Sequence, residues 1–283
     1  MPDLRGHELT PRLLNTAAGR ISYLEAGSGT PLVLLHGIGS AARAFRDQLA
    51  ALSAGYRVTA WDAPGYGDST NLPMPQPGAG DYAAALAAFL DALGVQSCHL
   101  LGHSLGALVA ARFAAAYPQR VRSLTLASIA VGNAHLSDTE RQDFITQRLA
   151  DLIAMGPRAM AEKRGPRLLG PQATPAMIAR VVDTMGSVRP DGYTQAVNML
   201  ATGDVKADVA RFAASLPLQI IYGSDDVITP PERNRAVVAL RPQAPVHEIA
   251  GAGHAVYLEK PEAFNAALGG FIAGLSPAGE GRS

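Results

Sequence analysis

The chain has 283 residues, enough for one large α/β domain with an insertion or for two small domains, and we favour the single domain. Its 24 lysines and arginines balance its 24 aspartates and glutamates, so no net charge attracts a nucleic acid or an anionic membrane. We therefore expect a small-molecule partner, with no nucleic acid and no membrane.

The cysteine content and the N-terminal sequence indicate in which cellular compartment we expect the protein. Cys98 is the one cysteine, which excludes a disulfide within the chain and suits a reducing environment. The N-terminal stretch MPDLRGHELTPRLL lacks the apolar region of a signal peptide. No later stretch reaches the roughly 18 uninterrupted apolar residues that span a bilayer. We expect a cytoplasmic protein.

Four short apolar runs, each bounded by turn residues, predict strands. They are PLVLLHG from residue 31, SCHLLGHS from residue 97, SLTLAS from residue 123 and LQIIYG from residue 218. Continuous apolar runs are typical of strands that are buried on both faces, whereas half-exposed strands alternate. These runs therefore favour a parallel sheet covered on both sides.

Helix signals lie between these runs. One helix is predicted to begin at Asp81 as its N-cap and to end at Gly94. A second has a capping-box pattern from Thr229 to Glu232, with Pro230 at the first helical position. The alternation of strands and helices predicts an α/β fold whose mostly parallel sheet is doubly wound.

The alternation stops between about residues 133 and 207, where helix signals follow one another without a strand. Ser137 and Glu140 form one capping box, and a later helix is predicted to begin at Thr174 and to end at Gly186. We interpret this segment as a helical lid inserted over the sheet.

This interpretation divides the chain into a core domain, residues 1–132 and 208–283, and a lid, residues 133–207. Five of the seven methionines fall in the lid. Methionine can line an adaptable apolar pocket or can simply pack the lid against the core, and both interpretations stay open. The five are Met155, Met160, Met177, Met185 and Met199.

Ser104 lies in the sequence Gly102-His103-Ser104-Leu105-Gly106, a G-x-S-x-G pattern between a predicted strand and a predicted helix. At such a junction the backbone turns sharply, and the glycines leave room for the turn. Short G-x-S-x-G matches also arise by chance, but this context favours a nucleophile. A serine nucleophile needs a histidine base that a carboxylate orients.

Two of the seven histidines are candidates for that base, because the others fit structural positions. His254 lies in a glycine-rich loop after the predicted strand VHEIA, whereas His247 lies within that strand, so we favour His254. Asp225 and Asp226 follow the run LQIIYG and are the candidates for the acid. Adjacent aspartates can also be turn residues.

Along the chain the serine comes first, the aspartate second and the histidine third, which is the order found in α/β-hydrolases. The chain resembles this superfamily over nearly all of residues 20–275. Five stretches in order carry the resemblance, and together they are highly specific. They are HGIGS at 36, DAPGYGDS at 62, GHSLG at 102, GSDDVITP at 223 and GAGHAVYLEKPEAF at 251.

The resemblance implies further roles. In similar proteins the acid is the fourth residue of a G-x-x-D turn, which selects Asp226. The backbone N–H of Leu105, beside the nucleophile, is one expected oxyanion donor, and the resemblance assigns the other to Ile38. We expect no cofactor and no metal, because the chain lacks nucleotide-binding and metal-ligand motifs.

The predicted function is that of a serine hydrolase that cleaves a small, largely apolar carboxylic ester, lactone or thioester through an acyl-enzyme. The chain is similar to bacterial esterases and enol-lactonases. A rival reaction is hydrolysis of a carbon–carbon bond in a vinylogous diketone, as in the meta-cleavage product hydrolases. Those enzymes usually have asparagine before the nucleophile and tryptophan soon after the histidine, where this chain has His103, Ala255 and Val256.

Two further activities are compatible with the same fold. Some relatives of this fold are small-molecule receptors with slow or no turnover, although an intact set of Ser104, Asp226 and His254 disfavours this. A few similar proteins carry out oxygenation without a cofactor, using the same histidine and aspartate. Nothing in the sequence requires either activity, since one fold hosts many chemistries.

Overall fold

A computed structural model describes residues 10–275, and an eight-stranded sheet lies at its centre. The sheet order is β1-β2-β4-β3-β5-β6-β7-β8. The strands β1, β2 and β4 pair antiparallel, and every other pairing is parallel. The strands are β1 (Arg12–Thr16), β2 (Gly19–Ala26), β3 (Thr30–Leu35), β4 (Tyr56–Trp61), β5 (Cys98–His103), β6 (Val121–Ala127), β7 (Leu218–Gly223) and β8 (Val246–Ile249).

Helices cover both faces of this sheet. Along β3, Leu32 and Leu34 pack into one apolar core, while Val33 and Leu35 pack into a second core on the other face. The predicted α/β fold with a mostly parallel, doubly wound sheet is confirmed. The α-helices are α1 (Arg46–Leu52), α2 (Ala79–Ala92), α3 (Leu105–Ala116), α4 (Asp138–Arg164), α5 (Pro175–Met185), α6 (Pro190–Thr202), α7 (Val205–Ala210), α8 (Pro231–Val238), α9 (Val256–Glu259) and α10 (Pro261–Leu275).

The four apolar runs form β3, β5, β6 and β7, but the sequence did not reveal β1, β2 or β4. Strand β1 is an exposed edge, and β2 carries Arg20, Ser22 and Glu25 among its apolar residues. Neither strand therefore has a continuous apolar run. Within residues 10–275, no helix is both long and apolar enough to cross a membrane.

Two predicted helix starts are wrong for the same physical reason. Helix α2 begins at Ala79 with Gly78 as its N-cap, and the Asp81 carboxylate instead accepts a hydrogen bond from the Gly78 N–H at 2.8 Å. Helix α8 begins at Pro231, because the Thr229 hydroxyl donates to Asp226 at 2.7 Å and does not cap the helix. In both cases the polar side chain has a different partner from the one the pattern suggested.

Helices α4 to α7, between β6 and β7 in the chain, form the helical insertion. Ser137 caps α4 in a capping box with Glu140, and Thr174 caps α5, as the sequence predicted. Helix α4 is kinked at Gly156, whose φ of 75° lies in the left-handed region, and Pro157 follows. The kink turns the second part of α4 back toward the first.

The insertion packs closely on a loop of the sheet through two glycines. A Cβ added to Gly192 in α6 would collide with the backbone of Gly65, which itself has a φ of +87°. A Cβ added to Gly80 in α2, in contrast, would meet nothing within 4 Å. Only the first position therefore requires glycine for packing.

We expect Gly192→Ala to lower the free energy of unfolding by about 1–3 kcal/mol, because the extra methyl forces α6 away from the Gly65 loop. The matched control Gly80→Ala should leave this free energy unchanged or raise it by up to about 1 kcal/mol, since alanine favours helix. Urea unfolding followed by circular dichroism measures both. Equal stability of the two variants would show that the contact is not tight.

Candidate active site

Ser104 lies at the junction of β5 and α3, with φ 55° and ψ −115°. A non-glycine residue with positive φ is strained, and such residues cluster at functional sites. Its flanking glycines are required by contact: a Cβ on Gly102 would collide with the Gly106 backbone, and one on Gly106 with the Leu35 backbone. These contacts hold the Ser104 turn in place.

Asp226 and His254 follow the neighbouring strands β7 and β8 and meet at the carboxyl edge of the sheet. His254 Nδ1 donates a hydrogen bond to Asp226 Oδ2 at 2.9 Å, and both side chains are buried. The other carboxylate oxygen, Oδ1, accepts the backbone N–H groups of Ile228 and Thr229, each at 2.8 Å. The Thr229 hydroxyl donates to Oδ2. Asp226 is thus fully occupied as an acceptor.

These hydrogen bonds decide the charge of Asp226. Burial alone raises the pKa of this carboxyl, but the hydrogen bonds from His254 and Thr229 outweigh burial and lower the pKa to about 2. Asp226 is therefore ionised at neutral pH. An ionised carboxylate only accepts hydrogen bonds, so the proton of neutral His254 lies on Nδ1 and its Nε2 is able to accept a proton.

His103, the residue before Ser104, fixes the backbone of His254. Its Nε2–H donates to the His254 carbonyl at 2.8 Å, and its ring lies 4.8 Å from the rings of both His254 and Tyr257. Burial lowers the pKa of His103 to about 3, and the neighbouring His254 acts in the same direction. His103 is therefore a neutral hydrogen-bond donor that joins the Ser104 turn to the His254 loop.

Glu259 fixes the same loop from the other side. Its two carboxylate oxygens accept the backbone N–H groups of Gly253, at 2.8 Å, and of Gly170, at 2.7 Å. Burial raises the pKa of Glu259, although both N–H donors oppose this. Gly170 belongs to the chain between α4 and α5, so one buried carboxyl connects the insertion to the residue before His254.

Two backbone N–H groups lie close to Ser104. Ile38 occupies a turn that the hydrogen bond from Ser40 N–H to the Gly37 carbonyl closes at 3.1 Å, and the Tyr66 hydroxyl donates to the Ile38 carbonyl at 2.7 Å. Leu105 is the first residue of α3. Within the described part of the chain, neither the Ile38 nor the Leu105 N–H has a hydrogen-bond acceptor. Both donors are available to an oxyanion.

A cavity of about 610 Å³ lies at this edge of the sheet, and Ser104, Ile38 and His254 all line it. The helical insertion supplies much of the remaining wall, including Phe144 from α4. Of the five insertion methionines, Met185 lines the cavity, while Met160 and Met199 are buried in the core. Met185 therefore fits the interpretation of a pocket-lining methionine, and Met160 and Met199 fit that of methionines that pack the insertion against the core.

Comparison with known proteins identifies the family. The model of a family described as "Alpha/beta hydrolase family" matches residues 32–267. The chain therefore belongs to the alpha/beta hydrolase family. Its expected resemblance is confirmed, and the coarse function, that of a hydrolase, follows from this membership.

Individual relatives have several activities. An acetyltransferase component of the acetoin cleaving system from Pseudomonas putida is 30% identical over 93% of this chain and 69% of its own length. A 2-hydroxy-6-oxononadienedioate hydrolase from a Pseudomonas species is 28% identical over 90% of this chain and 92% of its own length. The solved structure of an esterase from Thermogutta terrifontis superposes with a TM-score of 0.84 at 25% identity, covering 95% of this chain and all of that one.

The structure thus brings Asp226 and His254 into contact, and Ser104 lines the same cavity as His254. His247 lies on the edge strand β8, Asp225 is exposed, and His7 falls outside the described residues. Sequence reasoning missed the supporting side chains of this site. Thr229 and Glu259 both lie within the stretches that carried the resemblance, but nothing in their spacing indicated that Thr229 binds the Asp226 carboxylate or that Glu259 binds two backbone N–H groups.

We expect His103 to make the protein less stable as the pH falls. Its pKa is about 3 in the folded protein, against 6.5 for an unperturbed histidine, so between these values the unfolded chain binds one more proton. The free energy of unfolding then falls by about 1.4 kcal/mol for each unit that the pH drops. His103→Asn keeps an N–H donor without this titration.

Urea unfolding of wild type and His103→Asn at pH 6.5, 5.5 and 4.5 measures the two slopes. The slope of the variant should be smaller by about 1.4 kcal/mol per pH unit. Identical slopes in the two proteins would show that His103 is not buried in its neutral form.

Proposed function

We propose that this protein is a serine hydrolase that cleaves a small carboxylic ester, lactone or thioester through a covalent acyl-enzyme. The observation that carries the proposal is the hydrogen bond between ionised Asp226 and His254, with Ser104 on the wall of the same cavity. The esterase superposition supports an ester substrate. The site needs no metal or cofactor for this chemistry.

The first half of the reaction forms the acyl-enzyme. His254 Nε2 accepts the proton of the Ser104 hydroxyl while the serine oxygen attacks the substrate carbonyl. Asp226 holds His254 in the required tautomer and stabilises the imidazolium that forms. The tetrahedral oxyanion then collapses, the carbon–oxygen bond to the alcohol breaks, and His254 returns the proton to the leaving alkoxide.

The second half releases the acid. A water molecule takes the place of the alcohol, His254 accepts one of its protons, and the resulting hydroxide attacks the acyl carbonyl. The N–H groups of Ile38 and Leu105 stabilise the oxyanion in both halves, and removal of one such donor typically costs about 2.7–4 kcal/mol of transition-state stabilisation. Ser104 is regenerated when its oxygen leaves with the proton from His254.

The same proposal gives the helical insertion a role. Residues 133–207 act as the lid, and residues 1–132 and 208–283 form the core domain that carries Ser104, Asp226 and His254. Residues of both parts line the cavity, which supports this division. A cytoplasmic location also stays an expectation from the single cysteine.

Carbon–carbon hydrolysis is the second candidate, because a relative that aligns along most of this chain is named for such a substrate. The same nucleophile, acid and base serve this reaction, so the site geometry does not separate the two. A receptor with slow turnover, or oxygenation without a cofactor, has no comparable support among these relatives. Substrate tests separate all of these activities.

We expect wild type to show a burst of p-nitrophenol with p-nitrophenyl esters, because deacylation follows a faster acylation. Ser104→Ala and His254→Ala should abolish the burst, and Asp226→Asn should lower kcat by roughly 10⁴-fold because the wrong tautomer forms. Asp225→Asn is the matched control, since Asp225 is exposed and its carboxylate accepts from Ser224. It should retain wild-type rates.

The same assay includes a vinylogous diketone. If the esters are ignored while the diketone is cleaved, carbon–carbon hydrolysis replaces ester hydrolysis as the function. If Ser104→Ala keeps full activity on the esters, the nucleophile is wrongly assigned. Tight binding of one of these compounds with very slow product release indicates a receptor, and loss of activity without oxygen indicates oxygenation.

The proposed oxyanion donor at Ile38 has its own test. Ile38 is the second residue of its turn, a position that proline favours, so Ile38→Pro removes the N–H with little change of backbone. We expect kcat on esters to fall by roughly 10²–10³-fold. Ile38→Ala removes the same side chain and keeps the N–H, so its kcat should stay within about tenfold of wild type. Equal rates of the two variants would remove Ile38 from the oxyanion site.

A further inference from the structure

One face of helix α4 lines the cavity that Ser104 also lines. The residues Phe144, Gln147, Arg148 and Asp151 recur at the spacing of a single helical face, and all four contribute to the cavity wall. This face belongs to the part of α4 that precedes the kink at Gly156. It brings polar and charged groups, as well as an aromatic ring, to the substrate space.

The cavity wall is strongly basic although the chain as a whole is neutral. Among the described residues, five basic side chains and only one carboxylate line it. The basic residues are Arg148, Lys163, Arg164, Arg167 and Arg180, and the carboxylate is that of Asp151. A local excess of positive charge attracts an anionic ligand.

Three of these basic side chains already have carboxylate partners. Lys163 and Arg164 each donate to Asp151 at 2.7 Å, which joins the two parts of the kinked helix α4. Arg180 donates to Asp47 on α1, also at 2.7 Å. Each of these three cations therefore has a carboxylate partner within the protein, although Lys163 and Arg164 share one.

Arg148 and Arg167 differ from these three, because neither guanidinium has a hydrogen bond or ion pair to any of residues 10–275. Arg167 is exposed, whereas the Nε of Arg148 is buried without an acceptor. The backbone carbonyl of Arg148 accepts a hydrogen bond from Arg164 at 3.1 Å, which fixes the helix at this point. A buried charged donor without an acceptor is unfavourable, and a ligand anion would relieve it.

Arg148 lines the same cavity as Ser104 and Ile38. A carboxylate that binds Arg148 would therefore lie in the same space as an ester carbonyl that Ser104 attacks.

We propose that Arg148 binds a carboxylate of the substrate, so that the preferred ester carries an anionic group at a distance from its scissile bond. The planar guanidinium matches a carboxylate with two parallel hydrogen bonds. Ile38, Phe144 and Met185 add apolar side chains to the same cavity wall. This inference rests on the proposed ester hydrolysis and adds charge to a substrate that the sequence suggested was largely apolar.

The test compares esters that differ in charge and little in size. On the acyl side, the p-nitrophenyl monoester of adipic acid is compared with the p-nitrophenyl ester of adipamic acid. On the alcohol side, 4-carboxyphenyl hexanoate is compared with 4-carbamoylphenyl hexanoate. We expect wild type at low salt to have at least tenfold higher kcat/KM for the carboxylate in one pair, and that pair shows which side of the ester Arg148 binds.

Arg148→Met should lower kcat/KM at least tenfold more for the preferred carboxylate than for its amide, through KM. Arg148→Lys should retain part of the preference, since it keeps the charge without the planar fork. Arg141→Met is the matched control: Arg141 lies on the same helix, donates to Asp138 and does not line the cavity. It should keep the wild-type preference.

Two results would overturn the proposal: no preference for either carboxylate in wild type, or a preference that survives Arg148→Met. Calorimetry with Ser104→Ala separates this failure from failure of the proposed function, because binding needs no turnover. Ser104→Ala should bind adipate, or 4-hydroxybenzoate for the alcohol side, at least tenfold more tightly than the matching amide. Adding Arg148→Met should remove that difference, even if none of the esters is hydrolysed.

Discussion

The site depends on the strained backbone of Ser104, which holds a positive φ at the end of a buried parallel strand. The strain persists because neighbouring backbones leave no room for relaxation. Gly102 lies against Gly106, and Gly106 lies against the end of β3. Gly37 approaches from the adjacent loop, where an added Cβ would lie 3.0 Å from the Ser104 Cβ. Three backbone segments thus fix one side chain, and every later feature of the site is positioned relative to it.

Around this point, side chains bind backbone groups more often than they bind each other. His103, Tyr66 and Glu259 each hold a loop through its peptide groups. Such contacts fix the path of a loop whatever its side chains are, which explains how loops after different strands keep one relative position. Burial keeps His103 neutral, so this support does not depend on a charge that varies near neutral pH.

The sequence predicted the parts of the fold that have a local cause. Continuous apolar runs identified the central strands, and glycines beside Ser104 indicated the turn. It did not predict β2, whose polar residues interrupt the pattern, or the role of Glu259, whose partner Gly170 lies 89 residues away. Thr229 is a different case: a threonine before a helix is usually a cap, but its hydroxyl binds the carboxylate of Asp226, three residues earlier in the chain. Local patterns cannot reveal a partner that the tertiary structure supplies.

The kink at Gly156 has a consequence for how this cavity can change between related chains. Successive residues of an α-helix are rotated by about 100° around the helix axis. One residue inserted before Arg148 in α4 would therefore rotate the cavity-lining face away from Ser104. An insertion between Gly156 and Lys163 would instead move Lys163 and Arg164 relative to Asp151, the carboxylate that they share. The length of α4 is therefore fixed on both sides of the kink, and the substrate space is better able to change through the side chains on this helix than through its length.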